Sequence, residues 1–222
     1  MSRTIKKNFM RGMTWLGVAL MVGVFATPVD AQRSASPRGQ ASTQVGGTWT
    51  SDESRGTAGG QSYEGGKWID VEYGRPILRG RENLFGSGAD YGQSFLLGAP
   101  VWRVGANQST TLTTEADLMF GGQRLAAGTY TMFAEVTESE WTLIFSSYGV
   151  KDSFQEETPN ALWGSYGYTP DLDVLRTTMR VGTHPVSADQ FTIMFTDMTQ
   201  GGGNLTIWWD DQVASAAFTV AP

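Results

Sequence analysis

Arginine is the residue type that carries most of the possible chemistry in this sequence. From residue 67 onward, seven of the nine basic residues are arginines, and a guanidinium binds carboxylates or phosphates through two bonds at once. Arg75, Arg79 and Arg81 lie close together in YGRPILRGR, and Arg103 lies in VWRVGAN. Two interpretations follow. These side chains anchor irregular loops through carboxylates or carbonyls, or they line a pocket for an anionic or carboxylated ligand.

Aromatic residues form a second group with possible binding chemistry. Trp163, Tyr166 and Tyr168 fall within ALWGSYGYTP, and Trp102 and Trp208 lie elsewhere in the chain. Flat aromatic faces stack on sugars or peptides, but they equally fill hydrophobic cores. The candidate residues for binding a ligand or partner come from these two groups and from the turn around Arg103: Arg75, Arg81, Trp102, Arg103, Asn107, Trp163, Tyr166 and Tyr168.

Catalytic chemistry has little support in the available side chains. His184 is the only histidine, so a Ser-His-Asp arrangement would depend on it alone. Asp171 and Asp173 form one close carboxylate pair, and Asp210 and Asp211 form another. A glycosidase needs carboxyls that face each other across a cleft, and no EF-hand loop or cysteine is present. We therefore predict no catalytic residue, no metal site and no cofactor, with a secreted hydrolase of glycan or ester bonds as the alternative.

The first 31 residues have the pattern of a secretory signal peptide. A basic start is followed by a short apolar core, Trp15 to Ala26, and by a cleavage position before Gln32. Met13 to Val29 is almost long enough to cross a bilayer, so a retained N-terminal membrane anchor is the alternative. Without residues 1–31 the chain has 12 basic and 21 acidic residues, a net charge of −9. We therefore expect no nucleic-acid partner, and membrane contact only through residues 13–29 if they are uncleaved.

The rest of the chain divides into a linker and a β-rich domain. Residues 32–66 are rich in Ser, Gly and Thr and nearly lack bulky apolar residues, which predicts a flexible linker. Residues 67–222 contain short segments of alternating character, such as YTMFAEV and WTLIFSS, separated by turns. This pattern predicts an all-β domain: an antiparallel β-sandwich, or a partly open barrel, with short connecting segments. An N-terminal apolar helix and a disordered tether are expected to precede it.

Two further expectations concern the strands and what covers them. LTIWWDD and VASAAFTV resemble the two strands of a closing hairpin that turns at Asp210 to Gln212. The second face of several strands carries Thr, Met and Trp in place of Lys and Glu, so we expect it to be covered. The segment from Gly149 to Thr169, or a partner, is expected to provide that cover.

Four motifs in a fixed order give the chain a specific resemblance to a known family. They are YGRPILRGRENLFG, VWRVGANQSTTLT, GGQRLAAGTYTMFAEVTESEWTLIFS and ALWGSYGYTPDLDVLRT. Together they resemble the DUF2911 family of exported bacterial β-rich domains without an assigned function, over about Trp68 to Val220. The resemblance implies signature positions at Arg75, Arg81, Trp102, Arg103, Gly105, Asn107, Gly128, Tyr130, Trp141, Trp163 and Arg176. It transfers no binding or catalytic role to them, and the chain departs from the family pattern at Leu97 to Pro100, where a Pro-Tyr-Gly run is expected.

These features favour a non-catalytic envelope protein, periplasmic or secreted, that binds a protein partner or a small ligand. One form of this hypothesis is an accessory subunit on the periplasmic side of a membrane complex, attached through residues 13–29. The hydrolase alternative would use carboxylates or His184 for acid–base chemistry. A third hypothesis, a purely structural surface domain, predicts that Arg103→Lys lowers stability and changes nothing else.

Overall fold

The computed structural model describes residues 34–52 and 60–222. The predicted signal peptide or membrane anchor at residues 1–31, with its apolar helix, lies outside the described residues. Across the two described ranges, no helix is long and apolar enough to span a bilayer.

Thirteen strands account for most of the described residues. In chain order they are β1 (Arg38–Val45), β2 (Thr48–Asp52), β3 (Gly60–Glu64), β4 (Lys67–Gly74), β5 (Thr110–Thr114), β6 (Leu118–Phe120), β7 (Gln123–Leu125), β8 (Gly128–Val136), β9 (Trp141–Ser146), β10 (Gly149–Val150), β11 (Ala161–Leu162), β12 (Asp173–Thr199) and β13 (Gly202–Val220). Within residues 34–52 and 60–222, one helical turn, α1 (Gln93–Leu96), and 3-10 turns at Gly88–Asp90 and Pro170–Leu172 complete the elements.

Nine of these strands form one large antiparallel sheet. Their spatial order is β1-β4-β5-β8-β9-β12-β13-β6-β7. The strands β2 and β3 form a separate antiparallel hairpin, and the short strands β10 and β11 pair in parallel. The predicted all-β class is confirmed, and in the part of the chain that the structure describes the sheet does not close into a barrel.

The two longest strands, β12 and β13, form a single extended hairpin. The ladder runs from Arg180 opposite Ser215 to Thr199 opposite Gly202, with irregularities where residues 183–192 face residues 208–212. The predicted turn at Asp210 to Gln212 is therefore wrong. Asp210 has a φ of 52° and marks a bulge, because a left-handed residue interrupts strand geometry without reversing the chain. The true turn lies at residues 200–201.

The main core lies between the sheet and the half of this hairpin that carries its turn, residues 188–210, called here the distal hairpin. Phe191 and Ile193 of β12 are buried in one cluster with Ile69 and Val71 of β4. The backbone N–H of Ile193 donates to Tyr73 Oη at 3.0 Å, which ties the hairpin to the end of β4. The buried Phe191 and Ile193 alternate with the half-buried Thr192 and Met194, as expected for a strand with one face in the core.

The predicted flexible linker, residues 32–66, is wrong for the hairpin of β2 and β3 and for Arg38–Val45. This segment is the edge strand β1, paired along its whole length with β4 from Arg38 opposite Gly74 to Val45 opposite Lys67. Composition missed it because the strand contains few bulky apolar residues. Its backbone hydrogen bonds to β4 and the burial of Val45 provide the stabilisation that strands usually gain by burying large side chains.

A second, smaller cluster lies on the other side of the central strands. Val101, Phe133 of β8 and Ile144 of β9 are buried together with Leu162 and Tyr168. The expectation that the segment from Gly149 to Thr169 covers a second strand face is thus confirmed for β8 and β9. It is not met on the distal hairpin, where Met194 and Trp208 line an open groove of about 330 Å³ with no residue of that segment.

Candidate functional site

The turn that follows Trp102 has an unusual backbone. Val104, Gly105 and Asn107 have φ values of 52°, 150° and 65°, and Val104 is fully buried. A β-branched residue in the left-handed region costs on the order of 1–3 kcal/mol. Thr110 Oγ1 donates to the carbonyl of Val104 at 2.7 Å and holds the turn in place. Backbone strain of this kind concentrates at binding sites, so this turn is the first place to look for one.

Arg103 is buried within this turn, with 8% of its surface exposed. Its Nη1 donates to the carbonyl of Asn107 at 2.8 Å, and its guanidinium lies 5.0 Å from the centre of the Tyr166 ring. Gly164 has a φ of 66°, and a Cβ at that position would overlap the guanidinium. The loop from Trp163 to Tyr166 therefore packs so closely against the Arg103 guanidinium that only glycine fits at position 164.

Arg81 approaches the same region from the segment after β4. Its Nε donates to the carbonyl of Leu78 at 3.1 Å, and its Nη2 donates to the carbonyl of Ile77 at 2.9 Å. The guanidinium lies 5.3 Å from the centre of the Trp209 ring, a cation–π distance. Both arginines are thus oriented by carbonyl oxygens and aromatic rings.

Neither arginine has a carboxylate partner among the described residues. The ion pairs found in that part of the chain involve Arg124 with Asp117, and Arg176 with Glu135 and Asp173. A buried cation without a counter-ion loses hydration without a compensating charge. Most of the donor capacity of Arg103 is therefore free for an anion, since only its Nη1 is bonded within the described ranges.

The two arginines line a cavity of about 390 Å³, within the range of small-molecule sites. Its lining mixes polar groups with aromatic and apolar side chains, and Phe95, Leu97 and Trp163 are among the latter. No aspartate, glutamate or histidine lines it within the described residues. Three other cavities that an arginine lines also have a carboxylate in their lining: Glu72 and Asp152 in one, Asp197 in another and Glu72 in the third.

Trp209 contributes an aromatic ring to the cavity wall. Its buried indole Nε1 has no hydrogen-bond partner among the described residues. An unpartnered buried donor costs about 1–3 kcal/mol, and this nitrogen is shielded from solvent. The cavity therefore combines two guanidinium groups with aromatic rings, an arrangement suited to holding an anion.

Comparison with known proteins places the chain in a family. The model of the family described as "Protein of unknown function (DUF2911)" matches residues 57–218, well over half of the chain. The chain belongs to the DUF2911 family. No curated protein and no solved structure matches it. The resemblance identified from the four motifs is therefore confirmed, and the match begins within the segment that the sequence assigned to the linker.

Five of the eight candidate residues of this DUF2911 chain converge on the cavity. They are Arg81, Arg103, Asn107, Trp163 and Tyr166. The other three, Trp102, Arg75 and Tyr168, do not line the cavity. Trp102 is in the core with 1% of its surface exposed, and it stacks on Trp209 with the two ring planes 11° apart. Trp102 therefore supports a wall of the cavity from behind.

Arg75 and Tyr168 have structural partners away from the cavity. Arg75 donates from Nε to the carbonyl of Phe191 at 3.3 Å and so connects the end of β4 to β12. Tyr168 donates through its hydroxyl to the carboxylate of Asp173 at 2.7 Å, and Arg176 donates to the same carboxylate at 2.8 Å. Burial, followed by the hydrogen bond to Asp173, raises the pKa of Tyr168. This network also accounts for one carboxylate of the Asp171 and Asp173 pair.

The residues considered for acid–base catalysis have local contacts. The ring of His184 is exposed and lies 4.7 Å from that of Trp208, and its Nδ1 accepts the backbone N–H of Val186 at 3.1 Å. Asp210 accepts the hydroxyl of Ser187 at 2.6 Å, and Asp171 accepts that of Thr169 at 3.0 Å. Among the described residues no group of three or more histidine, aspartate and glutamate side chains converges on a metal position.

Phe95, Leu97 and Trp209 are among the cavity-wall residues that the sequence did not indicate. The aromatic group named from the sequence contained Trp208, whereas its neighbour Trp209 lines the cavity. Adjacent residues of a strand face opposite sides, so the pair showed that one tryptophan would point inward but did not show which one. Phe95 and Leu97 lie in a short apolar run between glycines, which is a signal for a packed loop and not for a site.

Proposed function

We propose that this DUF2911 protein is a non-catalytic binding module exported to the bacterial envelope, with the cavity around Arg103 as its ligand site. One observation carries the proposal: in an acidic chain, two arginines without carboxylate partners among the described residues line one cavity whose described lining has no acidic residue. The ligand is an anion, because the charged groups that line the cavity are the two guanidinium groups.

The fold supports a binding role over a purely structural one. An arginine that only anchors a loop needs its donors satisfied internally, and Arg81 meets that condition in part, with two of its five N–H donors bonded to carbonyls. Arg103 does not, since one nitrogen alone is bonded within the described residues. No observation in the described ranges favours the hydrolase alternative, because the cavity lining offers no general base.

Anion binding is tested by titrating the purified protein with sodium sulfate at constant ionic strength while following tryptophan fluorescence. Trp163 and Trp209 line the cavity, so a saturable change in emission is expected. Arg103→Met should weaken sulfate binding by about tenfold or more, because hydrogen bonds to a charged group contribute about 1.5–3 kcal/mol. Circular dichroism would verify that the variant is folded.

The matched control is Arg180→Met. Arg180 is exposed on β12 and does not line this cavity, so its replacement changes the net charge equally and should leave the sulfate affinity within about twofold of the original. Equal losses in both variants would mean that general charge is being measured. Saturation that survives Arg103→Met unchanged would contradict the proposed site.

Export is tested on the protein from the cells that make it. The protein is purified in mild detergent and its intact mass is measured. For a free exported domain, we expect the mass of a chain that begins at Gln32 and a protein that elutes alone. A full-length mass with stoichiometric membrane proteins would support the accessory-subunit form. A full-length protein recovered alone from the cytoplasmic fraction would contradict export.

A further inference from the structure

The mouth of the arginine cavity carries exposed apolar side chains. Leu97 and Tyr166 line the cavity with 65% and 39% of their surfaces exposed. Phe154, which is 63% exposed, packs edge-on against Tyr166 with the ring centres 6.3 Å apart. Clustered exposed apolar groups around a polar cavity mark a surface that contacts another molecule. The cavity thus has two guanidinium groups in its lining and exposed apolar side chains at its opening.

Leu97 is held at this mouth at a conformational cost. It follows α1 with φ and ψ values of 51° and 39°, a left-handed conformation that leucine rarely adopts. Asparagine or glycine is the ordinary residue at such a helix end. A leucine that is strained, exposed and placed beside a cavity contributes more to an apolar contact than to the stability of the fold.

We propose that the ligand is a free amphipathic anion, a molecule with one carboxylate, sulfonate or phosphate group joined to an apolar or aromatic portion. The anionic group binds Arg103 and Arg81, and the apolar portion contacts Trp163, Tyr166 and Leu97. This inference rests on the proposed function of the cavity as the ligand site. A free molecule is favoured over a lipid in a bilayer because the net charge of −9 without residues 1–31 opposes approach to an anionic membrane surface.

The test compares three probes that separate the two halves of the ligand. Anilinonaphthalene sulfonate carries both an anion and aromatic rings, N-phenylnaphthylamine has the same ring system without the sulfonate, and inorganic sulfate has no rings. Anilinonaphthalene sulfonate is expected to bind one site, about tenfold or more tighter than either N-phenylnaphthylamine or sulfate, because each lacks one set of contacts. Sulfate should displace it competitively.

Two variants assign the binding to this cavity. The double variant Leu97→Asn with Phe154→Ser removes apolar surface, and asparagine suits the left-handed backbone at position 97. It should weaken anilinonaphthalene sulfonate by about tenfold while leaving sulfate affinity within about twofold. Arg103→Met should weaken both probes. Val186→Ser, which removes an apolar side chain that is exposed outside this cavity, should change neither.

The outcomes distinguish the two proposals. In one outcome, sulfate binds saturably, Arg103→Met abolishes that binding, and anilinonaphthalene sulfonate binds no more tightly than sulfate. This result would overturn the amphipathic ligand but retain the anion site. Failure of both probes would overturn both. Equal binding of N-phenylnaphthylamine would reduce the site to an apolar surface and overturn the inference. Flotation with phosphatidylglycerol vesicles that Leu97→Asn weakens would assign a membrane lipid and overturn the free molecule.

Discussion

Replacing Trp102 with alanine is expected to lower the free energy of unfolding by about 3–5 kcal/mol, the usual cost of truncating a large buried aromatic residue. Trp102 lies at the centre of an aromatic cluster, with ring centres of Phe95, Phe191 and Trp141 within 4.9 to 5.7 Å. Its backbone exchanges two hydrogen bonds of 2.8 Å with Ala134 of β8. The side chain therefore joins the sheet, the distal hairpin and the α1 segment, and urea unfolding measures its contribution.

Trp49→Ala is the matched control for this substitution. Trp49 is 60% exposed on β2 and contacts Tyr63 at 5.1 Å between ring centres, so its loss should cost about 1 kcal/mol or less. Trp102→Phe should recover most of the loss, because the indole Nε1 of Trp102 has no partner among the described residues. Equal costs for Trp102→Ala and Trp49→Ala would show that the cluster around Trp102 is not the core of the domain.

Gly164→Ala is expected to weaken anion binding by about tenfold or more. The new methyl group would occupy the position of the Arg103 guanidinium and displace it from Tyr166 and from the carbonyl of Asn107. The left-handed φ of 66° adds a conformational cost of roughly 1–2 kcal/mol for any residue with a Cβ. Sulfate titration measures the first effect, and urea unfolding measures the second.

Gly167→Ala separates these two effects. Gly167 has a φ of 80°, and a Cβ there would meet only Leu162 Cδ2 at 3.8 Å, so the backbone cost is shared but the guanidinium stays in place. Sulfate affinity should therefore stay within about twofold in Gly167→Ala. In an Arg103→Ala background, Gly164→Ala should destabilise the protein less, because the overlap disappears. Identical sulfate affinities in the two glycine variants would contradict the proposal that close packing against Gly164 positions the Arg103 guanidinium.

The sequence alone determined the class of the fold, because strand periodicity is a local property. Alternation in YTMFAEV and WTLIFSS predicted β8 and β9, and both strands are present. In VWRVGAN, Gly105 and Asn107 have positive φ values, which glycine and asparagine adopt more readily than other residues. Arg103 donates to a carbonyl of this turn, that of Asn107, which is one of the two roles that the sequence left open for it. Each of these features depends on residues within a few positions of one another.

The tertiary structure decided everything that depends on distant partners. Polar Arg38–Val45 became a strand because β4 offered a ladder, and Asp210 became a bulge because the hairpin ladder continued past it. Trp209 and not Trp208 faces the core because the register of β13 against β12 sets which side points inward. The cavity itself joins segments near residues 81, 97, 103, 164 and 209, and no local pattern shows which distant segments will meet.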